Sequence, residues 1–485
     1  MNILFASAEV TPFSKAGGLA DVAGALPKAL EQLGAEVRII TPGYSHIPWD
    51  NYDLIEQAEF SVTIGDEEYS VQVTSTILPE SEDVQVCFIN NETYFGREGI
   101  YTDASGRGFP DNDERFILFM KAILEWLRHT DWEPQILHCN DHHTGLLPAY
   151  LRETHREDPA FARIRTLFTI HNLGYQGIYS REVLAKAGFP ERYADEEAFR
   201  YDGDVNFMKV ALLYADKITT VSPTYAQEIM SSDKFGMGLQ VVLRRRAGDI
   251  TGILNGVDYS EWSPATDDLI PYNYTQNNMA GKAKNRDELL RTYRLMAERS
   301  TPVIGMVSRL VEQKGFDLID DALDELLSRD LHLVILGTGE TKYHRLFEEA
   351  KEEYPEKIGV KFAYDNPLAH LIEAGSDMYL MPSKYEPCGL NQLYSLRYGT
   401  IPIVHAAGGL ADTITEFDPE SKKGTGFLFQ EYSVEAMLAA VDRAMSTFRN
   451  KARWKFLQDN AMRCDYSWRV SAEKYLELYR ELLEE

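Results

Sequence analysis

The hexapeptide AGGLAD stands at positions 16–21 and again at 407–412. Each copy follows a short apolar, β-like run (2–8 and 401–405) and leads into a stretch with helical patterning. A glycine pair at such a junction lets the backbone approach a ligand closely, and a helix N-terminus offers N–H groups to an anion. At average residue usage, a chance repeat of six identical residues in a chain of this size has a probability on the order of a few per cent. Two such loops, one near each end of the chain, predict two α/β halves facing one cleft.

The rest of the sequence follows the same alternation. Residues 2–8, 37–41, 136–139, 166–170 and 218–221 read as buried strands in the first half, and Val303–Val307, His332–Leu336, Met378–Met381 and 401–404 in the second. Amphipathic helical patterns lie between several of them, the clearest over 113–129 with acidic capping candidates at its start. Strands alternating with helices predict parallel sheets covered on both faces. Residues 62–73 and 84–89 read instead as inserted antiparallel ribbons. The break between halves is expected near 247–252, after Arg244-Arg245-Arg246. That gives a domain at 1–248, a second at 249–460, and a C-terminal helix over 461–485 packing back on the first.

Bulk composition narrows the function classes. The 485 residues are 44% hydrophobic and 26% charged, ordinary for a globular protein with real cores. A formal charge of −27 argues against nucleic acid or an anionic membrane surface as partner. An anionic small molecule would need local Lys or Arg set against that field. The four cysteines (Cys87, Cys139, Cys388, Cys464) show no paired or zinc-like spacing, which points to a reducing compartment and no structural metal. The first residues form no signal-peptide pattern, and no apolar run reaches the ~18 residues of a membrane helix. The expected location is cytoplasmic, or the plastid stroma in a plastid-bearing source.

Chemistry-bearing residues gather where predicted strands end, the side on which open α/β sheets bind ligands. His138-Cys139-Asn140-Asp141 ends one strand and His171-Asn172 another. Ser308-Arg309 ends a third, with Gln313-Lys314-Gly315 following. Pro382-Ser383 ends a fourth and leads into Tyr385-Glu386-Pro387-Cys388-Gly389-Leu390. Arg309 as a fork and Lys314 as a point charge can converge on one diphosphate; the alternative is a surface ion-pair network. A carboxylate at Glu386 can hold a ribose hydroxyl, stabilise an oxocarbenium centre or act as a nucleophile; alone it would also suit a helix N-terminus. Cys388 has no evident base partner and reads as a contact residue. Asp141-His142-His143 resembles part of a metal site, but neighbours in sequence rarely converge on one ion and no second cluster completes the set. His171 at a strand end reads toward the cleft, with a satisfied core histidine as its alternative. Lys15 can reach the phosphate of the first glycine loop. Neither GxGxxG nor GxxxxGK[ST] is present, so a dinucleotide site and a P-loop are unsupported.

Taken in order, Lys15-Ala16-Gly17-Gly18-Leu19-Ala20-Asp21, Asp141-His142-His143-Thr144-Gly145, His171-Asn172-Leu173-Gly174-Tyr175-Gln176-Gly177, Asn255-Gly256-Val257-Asp258, Ser308-Arg309 with Gln313-Lys314-Gly315, Glu386-Pro387-Cys388-Gly389-Leu390 and Gly408-Gly409-Leu410-Ala411-Asp412-Thr413 resemble the bacterial glycogen synthase and plant starch synthase family. The resemblance spans essentially the whole chain. It implies the GT-B fold, two Rossmann-like domains around a deep cleft, and retaining transfer of glucose from ADP-glucose to the non-reducing end of an α-1,4-glucan, with no metal or other cofactor. It assigns donor contacts to Lys15, Gly17, Gly18, Ser308, Arg309, Lys314, Tyr364 (stacked on adenine), Glu386, Cys388, Gly389, Leu390, Gly409, Leu410 and Thr413. Asp21, Asp141, His171, Asn172 and Tyr175 fall on the sugar and acceptor side. The catalytic set it implies is Glu386, Lys314, Arg309, Asp141 and His171. Position 16 is Ala where family members usually carry Thr or Val, a departure that bears on fine donor preference.

Retention requires a covalent glycosyl–enzyme at a carboxylate or front-face attack guided by the leaving phosphate. The front-face route, with Glu386 as stabiliser, is the reading preferred here, and domain closure is expected to assemble the site. Two rivals stand beside it: a GT-B transferase with a small sugar acceptor, and a non-catalytic glucan-binding scaffold.

Overall fold

The apolar run before each glycine loop is a strand with a parallel neighbour on both sides, central in the first sheet and next to the edge in the second. A computed structural model describes every residue except Ala104, Ala297 and Glu485. The chain divides into two units. Met1–Val221, Ala226–Gly256 and the stretch from Trp468 onward form the first; Ser222–Tyr225 and Val257–Ser467 form the second.

In the first unit the strands are β1 (Asn2–Ala6), β2 (Glu36–Pro42), β3 (Ile55–Ile64), β4 (Glu67–Ile77), β5 (Gln85–Asn90), β6 (Ile136–Asn140), β7 (Arg165–Ile170), β8 (Ile178–Ser180), β9 (Arg200–Tyr201), β10 (Asp204–Asn206), β11 (Lys217–Thr220) and β12 (Ile250–Gly252). The main sheet has the order β12-β11-β7-β6-β1-β2-β5-β4-β3. Pairs from β12 to β5 run parallel, while β4 and β3 extend the sheet antiparallel. A small antiparallel sheet, β8-β10-β9, stands beside it. The chain enters at β1, winds outward through β2, then returns to β6 on the other side of β1.

The second unit repeats this logic with β13 (Val303–Val307), β14 (His332–Leu336), β15 (Ile358–Lys361), β16 (Met378–Met381), β17 (Ile401–His405) and β18 (Phe427–Phe429). Their order is β15-β14-β13-β16-β17-β18, all parallel. Here the winding reverses between β13 and β16. Every residue of β6, β14 and β17 is buried, as expected of strands covered by helices on both faces. The helix Phe316–Ser328 shows what does the covering: Phe316, Ile319, Leu323, Leu326 and Leu327 are buried at helical spacing while Asp320, Asp321, Asp324 and Glu325 are exposed.

The C-terminal helix Trp468–Glu484 belongs to the first unit and packs on the helix Gly18–Gln32. Its Tyr479 hydroxyl lies 2.7 Å from His138 Nδ1, and the other ring nitrogen lies 2.6 Å from Thr169 Oγ1.

Some expectations need correction. Residues 84–89 are no simple antiparallel ribbon, because β5 pairs antiparallel with β4 but parallel with β2. Strand β1 stops at Ala6, so Ser7 and Ala8 already belong to the loop. The stretch 247–252 includes β12, which pairs with β11, so the chain leaves the first sheet later, and the units part after Gly256. The helix Asn112–Arg128 is not capped by its acidic neighbours: Asp111 instead takes both Arg97 nitrogens at 3.0 and 2.8 Å. Of the arginine cluster, Arg246 closes the end of a helix by donating to the carbonyls of Leu212, Ala215 and Asp216.

Candidate functional site

Ligands of open α/β sheets bind beyond the strand ends where the strand order reverses. In the second unit that place is flanked by Ser308-Arg309 after β13 and Pro382-Ser383 after β16. The loops there touch because glycine leaves no side chain between them. A Cβ on Gly315 would lie 2.0 Å from the Pro382 carbonyl oxygen, one on Gly408 2.0 Å from that of Glu386, and one on Gly409 2.1 Å from that of Cys388. Gly315 and Gly408 also sit at φ +80° and +46°, which favours glycine.

Within this cradle Lys314 Nζ lies 2.6 Å from Glu386 Oε2, and Ser383 Oγ donates to the same oxygen at 3.0 Å. Glu386 is only 4% exposed. The turn that carries it is fixed from several sides. Gly409 N–H donates to the Glu386 carbonyl at 3.0 Å, and His405 Nδ1 lies 2.7 Å from the Ser383 carbonyl. The Gln392 amide donates to the carbonyls of Cys388 and Gly389, both at 3.0 Å, and reaches Thr413 Oγ1 at 3.3 Å. Lys314, Glu386, Cys388, Gly389, Gly409 and Thr413 thus form one connected network. Ser308 borders it, its carbonyl facing Gly337. Arg309 is exposed on the same loop, and Leu390 precedes the helix Asn391–Tyr398. The Leu410 side chain is part of the hydrophobic core, and its N–H is held by the Ala407 carbonyl at 3.0 Å, so this group is already engaged. Tyr364 stands outside the network, following edge strand β15, with its ring 83% exposed.

The first unit reverses between β1 and β6, and each strand is followed by a buried acid: Glu9 and Asp141. Asp141 adopts φ +55°, uncommon for a residue with a side chain, and its Oδ1 accepts the His171 N–H at 2.8 Å. Burial pushes its carboxyl up to about 7; the backbone N–H groups of His171 and Asn172 oppose the shift, and the charge of Glu9 adds to it. His171 is bonded through Nε2 to Asn140 Oδ1 at 2.8 Å, and burial pushes its pKa down to about 3, so the ring is neutral. Asn172 Oδ1 accepts the Gly174 N–H at 2.9 Å, and Tyr175 is 53% exposed just beyond.

The Asp141-His142-His143 run does not converge on a point. His142 Nδ1 bonds the Tyr175 carbonyl at 3.0 Å, whereas His143 stacks on Tyr101 at 4.7 Å. Among the described residues no group of three or more His, Cys, Asp or Glu is placed to hold a metal ion.

The two hexapeptides diverge in use. Gly18 opens a helix of 15 residues, Gly408 one of 6. Asp21 pairs with Lys15 at 2.6 Å, whereas Asp412 holds the backbone and hydroxyl of Thr224 at 2.8 and 2.7 Å. Sequence reasoning missed Glu9, which bonds the first loop directly: its Oε2 accepts the N–H groups of Ala16 and Gly17 at 2.5 and 2.7 Å. The signal available was an acid just past a strand end, shortly before a glycine pair.

Comparison with known proteins identifies the family. Residues 2–245 match the family described as the starch synthase catalytic domain, and residues 295–455 match glycosyl transferases group 1. The chain is 46% identical over 483 residues to a glycogen synthase of Koribacter versatilis, covering 99% of this chain and 98% of the relative. It is 42% identical over 489 residues to a glycogen synthase of Thermotoga maritima, covering 100% and 99%. Among solved structures, the catalytic domain of starch synthase IV from Arabidopsis thaliana, bound to ADP and acarbose, superposes with a TM-score of 0.91 at 31% identity, covering 100% of this chain and 99% of that one. Two doubly wound, mainly parallel sheets of this kind are those of a GT-B glycosyltransferase. The chain belongs to the glycogen and starch synthase family.

Proposed function

We propose that this chain transfers glucose, with retention of configuration, from ADP-glucose to the non-reducing end of an α-1,4-glucan, and that its own cations do the work a metal does elsewhere. The observation that carries the reading is the Lys314–Glu386 pair, 2.6 Å apart at the strand-order reversal of the second sheet. The Arabidopsis structure bound to ADP and acarbose supports a nucleotide side and a glucan side.

The costly event is cleavage of the bond from the anomeric carbon to the phosphate oxygen. Negative charge grows on the departing diphosphate while the sugar gains oxocarbenium character. An ammonium carries three donors, so Lys314 can keep Glu386 and still reach a phosphate oxygen, with Arg309 as a second cation. Donors already in place when charge develops supply the term that is usually largest in catalysis. Glu386, held by Lys314 and Ser383, faces the positive sugar as its stabiliser. The acceptor hydroxyl oxygen bonds the anomeric carbon on the face the phosphate leaves, and its proton passes to the departing phosphate oxygen.

Lys15 with Gly17 and Gly18 is assigned to the donor, the exposed Tyr364 ring to the adenine, and Asp141, His171, Asn172 and Tyr175 to the sugars. A neutral His171 can exchange hydrogen bonds with a hydroxyl without adding charge. The proposed setting is the bacterial cytoplasm, or the plastid stroma for a plastid-bearing source. No nucleic acid or membrane partner is proposed, and no helix among the described residues is long and apolar enough to cross a membrane.

The test is incorporation of radiolabelled glucose into a glucan primer, with ADP-glucose and UDP-glucose compared in the presence of EDTA. Rapid incorporation from ADP-glucose, insensitive to EDTA, is expected. Incorporation only into fructose or a sugar phosphate would replace the glucan reading, and binding of glucan without turnover would leave a scaffold.

A further inference from the structure

We infer that Glu9 is the positioning residue of the first glycine loop: its carboxylate, just past the end of β1, holds Ala16 and Gly17 and so sets the place from which Lys15 acts. The inference rests on the reading above in which Lys15 meets the donor.

Glu9 is 3% exposed. Its Oε2 accepts the Ala16 N–H at 2.5 Å and the Gly17 N–H at 2.7 Å, while its Oε1 accepts the Tyr101 hydroxyl at 2.6 Å. All three donors are neutral groups. Hydrogen bonds to an ionised carboxylate are short and about twice as strong as neutral ones, and a buried carboxylate is tolerated only when it makes them. The helix Gly18–Gln32 has Gly17 as its N-cap, with no side chain capping it locally. Glu9 takes from across the loop the N–H of the N-cap residue itself, as the Glu of a capping box does, and that of the residue before it.

Two consequences follow from the geometry. The N–H groups of Ala16 and Gly17 are committed to an internal anion, which leaves an incoming phosphate to Lys15 and to N–H groups from Gly18 onward, and leaves Gly17 to meet the donor through its open Cα face. Tyr101 also stacks on His143 at 4.7 Å, so the clamp joins the glycine loop to the segment that carries Asp141. Because the bonds to Ala16 run through its backbone, the clamp does not depend on the side chain at position 16.

Both loop bonds fall on one oxygen, and this makes the role separable from charge. Glu9→Gln can keep its carbonyl oxygen on the two N–H groups and donate its amide to Tyr101, whose hydroxyl accepts as readily as it donates. Glu9→Asp is one methylene too short, and Glu9→Ala has no acceptor. We expect the Gln variant to keep the donor KM within about threefold, and the Asp and Ala variants to raise it about tenfold to a hundredfold, as leaving the two N–H groups without their acceptor would. Glucan KM should stay unchanged throughout. Amide hydrogen exchange at Ala16 and Gly17 should accelerate in the Asp and Ala variants and stay slow in the Gln variant.

A Gln variant as impaired as the Ala variant would show that charge rather than position matters and would overturn the inference. So would Asp or Ala variants with parental donor KM and exchange. Melting curves identify a variant that fails to fold; if Ala does, the Asp variant carries the test. If the parent protein transfers nothing from ADP-glucose, the functional reading falls, and exchange alone decides the clamp: unchanged rates in the folded Asp variant would sink it.

Discussion

Lys314 and Glu386 share a hydrogen bond although 72 positions separate them in sequence. If the ammonium neutralises the departing diphosphate, Lys314→Ala should lower kcat about a hundredfold or more, the effect of removing one preorganised donor. Glucan affinity, read by co-sedimentation, should hardly move; equal loss of both would contradict the assigned role. Asp141 offers a pH test. Its carboxyl is pushed from 3.8 up to about 7, so the folded chain keeps a proton there that the unfolded chain releases. The stability from this group is complete below the unfolded value and lost as pH rises through about 7. Asp141→Asn should therefore flatten the decline in melting temperature across that window, and an undiminished slope would show that Asp141 does not titrate there. At this scale the placement of Arg309, Lys314, Glu386, Asp141 and His171 in loops beyond strand ends was legible, because each follows a continuous apolar run. Glu9 was not, since its meaning lies in a loop folding back onto it.

Among the elements, the helix Ala280–Tyr293 shows why patterning can fall silent. It buries Lys282, Asn285 and Arg286 along with Leu289 and Leu290, so no apolar stripe announces it. Lys282 Nζ donates to Thr400 Oγ1 at 2.6 Å and to the carbonyls of Ala374 and Glu373 at 3.2 and 3.4 Å. Those carbonyls end the helix Asn366–Gly375, where the amine donates to the orphan acceptors; burial pulls its pKa down to about 7 against the charges of Asp377 and Glu373. Lys282→Ala should cost about 1–3 kcal/mol in denaturant unfolding, the range for buried groups left without partners. A change near zero would mean that water replaces the lysine. By contrast Val303–Val307, His332–Leu336 and Met378–Met381 were read with their observed bounds, because each is a continuous apolar run between polar ends. The strands β12 and β18 carry three residues each, too few for such a run to stand out, and β15 breaks its run with Gly359 and Lys361.

On the scale of the whole molecule, the chain returns to its beginning. Trp468, Ala472, Tyr475, Leu476, Leu478, Tyr479 and Leu482 are buried, on a helix that groups with the first unit although its sequence follows the second. Truncation after Ser467 should strip protection from amide exchange in β1 and β6, where His138 would lose Tyr479, while β13–β17 keep theirs. Equal loss in both sheets would show that the helix supports more than the unit it packs on.

The sequence by itself determined the class of fold and the chemical character of the strand ends. Both are local: burial on two faces demands continuous apolar runs, and polar residues closing those runs mark the strand ends; of the repeated glycine pair, only Gly408 and Gly409 meet other backbone closely. Tertiary structure decided which strand ends became neighbours. Reversal of strand order places β1 beside β6 and β13 beside β16, and so brings Glu9 near Asp141 and Lys314 onto Glu386. Such partnerships rest on hydrogen bonds and Coulomb forces that act over a few ångströms, and only the folded chain sets those distances.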